Sequence, residues 1–311
     1  MMAHDHHGHG HDHDHGHHHA PASFGAAFAV GTTLNAAFVA AQIFFGVVAH
    51  SMALLADAVH NAGDVLGLLA AWGAATLAMR GPTTARTYGW GRTTILAALA
   101  NAVLMLVSCG AIALEAIRRV GAPERVAGAT VMWVAALGIA INGATALMFM
   151  RGRHDDLNVR GAFLHMVADT AVSAGVVITG LLITLTRWNW LDPASSLAIV
   201  AVIVIGTWGL LRDAANLAMD AVPLGIDLAE VEAALRALPG VAAVHDLHVW
   251  GLSTTTTALT VHLVQASGDG TALIRAAEHE VRTRFRIGHA TFQVETPELA
   301  RTCSLAPADV I

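Results

Sequence analysis

The stretch that decides the fold is residues 51–79, SMALLADAVHNAGDVLGLLAAWGAATLAM. It is apolar over a length that can cross a bilayer, which needs roughly 20 such residues in a helix. It also carries His60 and Asp64, which lie four residues apart and therefore share one helix face. Ionisable groups inside a membrane are expensive and usually line an ion path. The stretch therefore predicts a membrane-spanning helix with a metal-binding face.

The same pair recurs at His165 and Asp169, inside a second apolar segment. Two pairs supply four ligands, the number that a tetrahedral Zn²⁺ takes. Asp64 and Asp169 both fall near the middle of their segments, so we expect one shared site between two antiparallel helices. Asp57 precedes His60 by three residues on the same face, and we expect it to fix the tautomer of the imidazole.

Composition supports a membrane protein, since 55% of the 311 residues are hydrophobic, 13% are charged and the mean hydropathy is +0.57. Six segments have the length of a span, and their predicted bounds are Phe24–Val48, Ser51–Met79, Ile95–Ile117, Ala127–Met150, Val159–Thr186 and Pro193–Met219. An even number of spans places both termini on one side, and the distribution of arginines between the loops makes that side cytoplasmic. The net charge of −6 gives no indication of a nucleic-acid partner.

The regions outside the spans differ in composition. Residues 1–20 hold about half of the 19 histidines, mixed with Asp and Gly, which predicts a disordered tail that collects metal rather than an expression tag. Residues 21–222 form the predicted transmembrane domain. Residues 223–297 follow the order αββαβ, which predicts a cytoplasmic α+β domain of ferredoxin-like type. Residues 298–311 are expected to be a loose tail.

The donor set indicates a transport chemistry. Mixed nitrogen and oxygen ligands suit Zn²⁺, Cd²⁺, Co²⁺ or Ni²⁺. Because these ligands bind metal when deprotonated, metal entry releases protons, and a site open alternately to each side exchanges metal for H⁺. A membrane-embedded metal enzyme is disfavoured, since the spans contain neither HExxH nor the clustered histidines of membrane desaturases. A metal-sensing membrane protein or a passive cation channel would use the same residues, and both alternatives remain open on this evidence.

With these residues in place, residues 24–296 resemble the cation diffusion facilitator family of metal exporters. The phrases that carry the likeness are SMALLADAVH at 51–60, YGWGR at 88–92, LAALAN at 96–101, HDLHVW at 245–250 and the two His/Asp pairs. The resemblance implies a homodimer in a bacterial inner membrane that exports divalent metal, zinc above all, in exchange for protons. It also implies that His60, Asp64, His165 and Asp169 form the transport site. Zinc is then the substrate, and no obligatory cofactor is expected.

The resemblance further implies that the cytoplasmic domain binds zinc as a structural or regulatory ion. The candidate ligands are His248, His262 and His289, together with a carboxylate from Asp246 or Glu295. Strand alternation places Asp246 and His248 on one face and His245 on the other. The loop 80–92 has Gly91 where relatives can have His, so no metal site is expected in that loop.

Overall fold

A computed structural model describes residues 26–149 and 157–305, with side chains placed for residues 33–144, 146–147 and 166–305. The first part of the chain forms six long helices. Their bounds are α1 Ala26–Val48, α2 Met52–Ala78, α3 Thr93–Gly121, α4 Gly128–Phe149, α5 Leu157–Thr186 and α6 Leu191–Ala218. Each matches one of the six predicted segments. The predicted all-helical membrane domain is thus confirmed.

Four stretches within these helices are long and apolar enough to cross a bilayer, and they are Met52–Ala78, Thr93–Gly121, Met166–Thr186 and Leu191–Ala218. Within the described residues, α1 and α4 contribute shorter apolar stretches, Thr33–Val48 and Gly128–Ala144. The number of complete spans predicted from the sequence is therefore supported for four helices and remains a prediction for α1 and α4.

The start of α2 is held by α6. Ser51 is the N-cap residue, and its hydroxyl accepts a hydrogen bond from the backbone N–H of Leu54 at 3.2 Å. The buried carboxylate of Asp192, near the start of α6, accepts hydrogen bonds from the Ser51 hydroxyl and from the backbone N–H groups of Met52 and Ala53. Because the first N–H groups of a helix lack partners within it, this carboxylate stabilises α2 and fixes it beside α6.

Small residues let α4 and α5 approach closely. A Cβ atom added to Gly128 would lie 2.6 Å from the carbonyl oxygen of Gly180, and one added to Gly180 would lie 2.8 Å from the carbonyl oxygen of Gly128. Side chains at these two positions would force the helices apart. Close approach through small residues is the usual way in which membrane helices gain packing contacts.

The C-terminal domain has the predicted order αββαβ. Its elements are α7 Leu228–Arg236, β1 Val241–Gly251, β2 Thr257–Gln265, α8 Gly270–Phe285 and β3 His289–Glu295. The sheet order is β1-β2-β3, with β1 antiparallel and β3 parallel to β2. Buried Leu259 and Leu263 of β2 pack with Leu235 of α7 and Val281 of α8 to form the core.

A short helix, α9, spans Pro297–Thr302, at the start of the stretch for which a loose tail was expected. Thr296 caps it, since its hydroxyl accepts a hydrogen bond from the backbone N–H of Leu299 at 3.3 Å. Pro297 at the first helical position has the backbone angle that a helix start requires. The cap and the proline are the local signals for this helix.

The loop between α2 and α3 contacts the C-terminal domain. Arg92 pairs with Asp220, which lies just after α6. The backbone N–H of Thr254, in the β1–β2 turn, donates to the hydroxyl of Thr94 at 3.0 Å. The loop and the β-hairpin approach each other closely at Gly91, where an added Cβ would lie 2.8 Å from the carbonyl oxygen of Leu252. The α2–α3 loop and the start of α3 are therefore in direct contact with the tip of the β-hairpin.

Candidate metal centres

The first candidate centre lies between α2 and α5. Nε2 of His60 is 3.0 Å from Oδ1 of Asp169 and 3.8 Å from Oδ2 of Asp64. One donor atom from each of the three residues lies within 4.8 Å of the others. The helical spacing of four residues brings His60 and Asp64 together, and the packing of α5 on α2 supplies Asp169. The structure thus groups three of the four predicted ligands.

His165 lies on α5 one turn before Asp169, but its side chain is outside the described part of the structure. The helical backbone at this position agrees with the predicted spacing of the second pair. The site of four ligands therefore stays a prediction. The structure describes the side chains of His60, Asp64 and Asp169, and it brings these three together.

Exposure differs among the three grouped residues. The side chain of Asp169 is 3% exposed, that of His60 is 18% exposed and that of Asp64 is 28% exposed. Asp169 and His60 thus form the closed side of the cluster, and Asp64 forms its accessible side.

Asp57 lies in a buried polar network beside the cluster. Its Oδ2 atom accepts hydrogen bonds from Nε2 of Gln42 at 2.7 Å and from the hydroxyl of Ser173 at 3.4 Å. Oε1 of Gln42 in turn accepts from Nδ2 of Asn61 at 2.9 Å. Asp57 therefore joins α1, α2 and α5, and its expected role in fixing the tautomer of His60 stays a prediction.

The second candidate centre lies in the C-terminal domain. His245, His262, Glu295 and Cys303 each bring one donor atom within 4.8 Å of the others. Nδ1 of His262 is 3.2 Å from Nε2 of His245 and 3.0 Å from Oε1 of Glu295. Glu295 is buried at 1% exposure and His262 at 9%. Of the predicted candidates, the structure brings His262 and Glu295 into this cluster.

A β-bulge in β1 changes the faces of its side chains. The pairing of β1 with β2 shifts register between His245 and His248, and Asp246 adopts a left-handed backbone conformation with φ 51°. The extra residue interrupts strand alternation. Oδ2 of Asp246 consequently lies 3.5 Å from Nε2 of His262, on the ring that also contacts His245. The expectation that His245 points away from Asp246 and His248 was wrong for this reason.

His248 and His289 occupy other positions. Nε2 of His248 is 2.9 Å from Oδ1 of Asp246, so His248 reaches the cluster through that carboxylate. His289 is exposed at the opposite end of β3 from Glu295, and its ring forms an edge-to-face pair with that of Tyr88, with ring centroids 5.5 Å apart. His289 therefore belongs to the contact between the α2–α3 loop and the C-terminal domain.

Two members of the second cluster were missed in the sequence. His245 was set aside because alternation was assumed to hold through β1. Cys303 was missed because Cys109 and Cys303 lie too far apart in the sequence for a metal-binding motif, and because Cys303 stands where a loose tail was expected. A usable signal was present, since the Thr296-Pro297 cap indicates a helix that can fold Cys303 back toward Glu295.

The remaining predictions about metal concern the loop 80–92 and the tail. Among the described residues, two groups of three or more histidine, cysteine or carboxylate side chains could hold a metal ion, and they are the two clusters described above. Neither cluster includes a residue of the loop 80–92. Gly91 explains part of this, because a side chain there would meet the backbone of Leu252. The His-rich residues 1–20 lie outside the described residues.

The apolar helices and the appended α+β domain define a multi-span membrane protein with a histidine–carboxylate cluster between its helices. The chain belongs to the cation efflux family, since the family's transmembrane domain matches residues 28–217 and its cytoplasmic domain matches residues 223–297.

Three curated relatives match over most of their length. The metal cation efflux system protein CzcD of Cupriavidus metallidurans is 35% identical over 268 residues, which cover 86% of this chain and 85% of the relative. The zinc transporter ZitB of Escherichia coli is 35% identical over 271 residues, or 86% of each chain. The cadmium, cobalt and zinc/H⁺–K⁺ antiporter of Bacillus velezensis is 31% identical over 257 residues, covering 81% of this chain and 82% of the relative.

Proposed function

We propose that this protein exports divalent metal cations, with Zn²⁺ as the main substrate, from the cytoplasm in exchange for protons. The observation that carries the proposal is the grouping of His60, Asp64 and Asp169 between two membrane-domain helices. Charged and polar ligands at this depth are costly unless they serve an ion path. The relatives named for metal efflux, zinc transport and antiport support the same direction and substrates.

The proton follows from the chemistry of the ligands. His60 binds a cation through a neutral ring nitrogen, and Asp64 and Asp169 bind as carboxylates, so metal entry requires that protons leave. Protonation of the same groups weakens metal binding. In the proposed cycle, metal enters from the cytoplasm, and protons taken from the other side displace it there. His165 completes the proposed site as its fourth ligand.

The setting of the proposed transporter is a bacterial inner membrane with both termini in the cytoplasm. This orientation agrees with the arginine-rich loops on that side and with the family's assignment of residues 223–297 to a cytoplasmic domain. We further propose that the protein works as a homodimer, as the family resemblance implies. Its role is transport rather than catalysis.

We also propose that the cytoplasmic domain binds a zinc ion with a structural or regulatory role. The donor set fits zinc, since two imidazoles and one carboxylate converge in His245, His262 and Glu295. Oε2 of Glu295 is buried and accepts no hydrogen bond among the described residues, so a cation there would satisfy it. Asp246 holds the outer side of His262, as carboxylates commonly do for metal-binding imidazoles.

Purified protein in vesicles loaded with a zinc-sensitive dye tests the transport proposal. We expect zinc to accumulate against its own gradient when a proton gradient is imposed in the exchange direction. Collapse of the proton gradient with a protonophore should stop that accumulation. Zinc movement that only equilibrates, with no response to the proton gradient, would indicate a channel. Zinc binding without movement would indicate a sensor.

A further inference from the structure

We propose that Gln42 of α1 is a positioning residue of the membrane metal site. Its side-chain amide fixes the turn of α2 that carries His60, and it thereby sets the affinity of the site for metal. The proposal rests on the proposed function, because it takes the cluster between α2 and α5 as the site of the transported ion. Gln42 is not one of the proposed ligands. It acts through Asp57 and Asn61, which precede and follow His60 on α2.

The side chain of Gln42 makes two hydrogen bonds to α2, one through each end of its amide. Its Nε2 donates to Oδ2 of Asp57 at 2.7 Å, and its Oε1 accepts from Nδ2 of Asn61 at 2.9 Å. Asp57 and Asn61 lie four residues apart, so they share one helix face. A carboxylate only accepts hydrogen bonds, whereas an amide both donates and accepts, so an amide at position 42 satisfies both partners together. The two bonds therefore hold α1 against one turn of α2.

Asp57 depends on Gln42 for its short hydrogen bond. Among the described residues, Oδ1 of Asp57 accepts no hydrogen bond, and Oδ2 accepts a longer one from the hydroxyl of Ser173 at 3.4 Å. Gln42, Asp57 and Ser173 are each 0% exposed, so solvent does not replace a lost donor. Loss of the Gln42 amide would leave this buried carboxylate with the longer bond alone, and α2 would have to move to satisfy it.

The polar network adjoins the metal cluster on both helices that supply it. Asp57 lies three residues before His60 on α2, and Ser173 lies four residues after Asp169 on α5. The network and the cluster therefore occupy successive turns of the same two helices. Nε2 of His60 is 3.0 Å from Oδ1 of Asp169, and this distance changes if α2 slides or turns relative to α5. Because Oδ2 of Asp57 accepts from α1 and from α5, the Gln42 amide helps to hold α2 in the register that this distance requires.

Close packing around the network determines which substitution tests it. A Cβ atom added to Gly138 of α4 would lie 2.8 Å from Cζ of Phe38 and 3.2 Å from the hydroxyl oxygen of Ser173. Phe38 is buried one turn before Gln42 on α1, so a larger or smaller side chain at position 42 would also disturb this packing. Methionine has a similar size and shape to glutamine but has no amide. Gln42→Met therefore removes both hydrogen bonds with little change in volume.

Zinc uptake into vesicles by Gln42→Met tests the proposal. We expect the KM for zinc to rise about tenfold, since hydrogen bonds behind metal ligands commonly change metal affinity by that factor or more. Misfolding would lower the maximal rate by reducing the amount of active protein, but it would leave the KM of the folded remainder unchanged. Gln265→Met is the control, because it makes the same chemical change at the end of β2 in the C-terminal domain. A wild-type KM in Gln42→Met would overturn the proposal.

A double variant, Gln42→Glu with Asp57→Asn, exchanges the two hydrogen-bonding partners. The carboxylate then stands on α1 and accepts from two side-chain amides of α2, and the new amide oxygen on α2 accepts from the hydroxyl of Ser173. Net charge and each hydrogen bond of the network are kept, so we expect a KM within about threefold of the wild type. A KM as high as that of Gln42→Met would contradict the proposal, because it would show that the hydrogen bonds do not suffice.

Equilibrium binding separates this proposal from the transport proposal. In purified protein, the zinc bound by the wild type but not by Asp64→Ala reports the membrane cluster, since other zinc sites contribute equally to both. We expect half-saturation of this fraction to need about tenfold more free zinc in Gln42→Met than in the wild type. Unchanged half-saturation would overturn the role of Gln42. Wild-type protein that binds zinc at the cluster without moving it would contradict transport alone, and the binding shift would still decide the role of Gln42.

Discussion

At the residue scale, the proposed membrane site depends most on His60 for its chemistry. It contributes the nitrogen donor among the described ligands, and its Nε2 atom lies within 3.8 Å of a carboxylate oxygen on each of Asp64 and Asp169. An imidazole favours borderline cations such as Zn²⁺, whereas a site built from carboxylates favours harder ones. The metal preference of the protein should therefore change when this single side chain changes.

His60→Asp should broaden transport toward Mn²⁺. Replacing a nitrogen donor by a carboxylate oxygen should shift the Mn²⁺-to-Zn²⁺ ratio of initial uptake rates by about tenfold, which corresponds to ~1.4 kcal/mol of differential binding. Uptake of each metal into dye-loaded vesicles measures this ratio. His50→Ala is the control, since His50 is exposed in the α1–α2 turn and pairs with Glu124. An unchanged ratio in His60→Asp would exclude His60 as the selective ligand.

Single residues were predictable from the sequence where helical periodicity controls them. The spacing of His60 and Asp64 fixes their common face, and the structure groups them as expected. His245 was not predictable in the same way, because one extra residue in a strand reverses the faces that follow. The hydrogen bonds of Asp57 also depend on Gln42 from another helix, which no local pattern in α2 encodes.

At the scale of elements, the start of α2 depends on a carboxylate from α6. The hydroxyl of Ser51 and the backbone N–H groups of Met52 and Ala53 all donate to Asp192. These donors are buried away from water, so they have no solvent to replace a lost acceptor. Asp192 therefore has a larger structural role than an ordinary surface N-cap.

Asp192→Ala should lower stability by about 2–4 kcal/mol, because it leaves several buried donors without an acceptor. The measurement is the melting temperature of the purified protein in detergent, compared with that of Asp227→Ala. Asp227 caps the exposed start of α7 through the N–H of Ala229 at 2.8 Å, where water can take its place. Equal melting temperatures for the two variants would show that the Asp192 contact is not important for stability.

Element order was predictable because apolar length identifies membrane helices and alternation identifies strands. The bounds of α2 and α3 differ from the predicted segments by a few residues, since caps and loops decide where a helix ends. Helix α9 was not expected, because its six residues show little periodicity. Its cap at Thr296 was the available signal.

At the scale of the whole molecule, the C-terminal domain touches the membrane domain beside the end of α2. Gly91 faces the carbonyl of Leu252, Thr94 accepts from Thr254, and Tyr88 meets His289. The loop that carries Tyr88 and Gly91 directly follows α2, the helix that carries His60 and Asp64. The β-hairpin is therefore linked through this loop to the helix that carries part of the proposed transport site. Sequence patterns do not predict this contact, because it joins segments about 160 residues apart.

Gly91→Ala should loosen this junction. Its Cβ would lie 2.8 Å from a backbone oxygen, so the loop and hairpin must separate and the Thr94–Thr254 hydrogen bond should weaken. Hydrogen–deuterium exchange should therefore increase in residues 252–256, with a slower zinc uptake in vesicles. Gly81→Ala in the same loop is the control, because no atom lies within 4 Å of its added Cβ. Unchanged exchange in Gly91→Ala would show that the contact is not tight in solution.

Proton-driven zinc uptake by Asp64→Ala tests the central claim most directly. Asp64 is the most exposed of the three grouped residues of the membrane cluster, and alanine removes its carboxylate without adding bulk. The matched control is Asp213→Ala, which removes a carboxylate of α6 that pairs with Arg212. We predict that Asp64→Ala loses proton-driven zinc uptake while Asp213→Ala retains it. Uptake by Asp64→Ala at the wild-type rate would contradict the assignment of this cluster as the transport site.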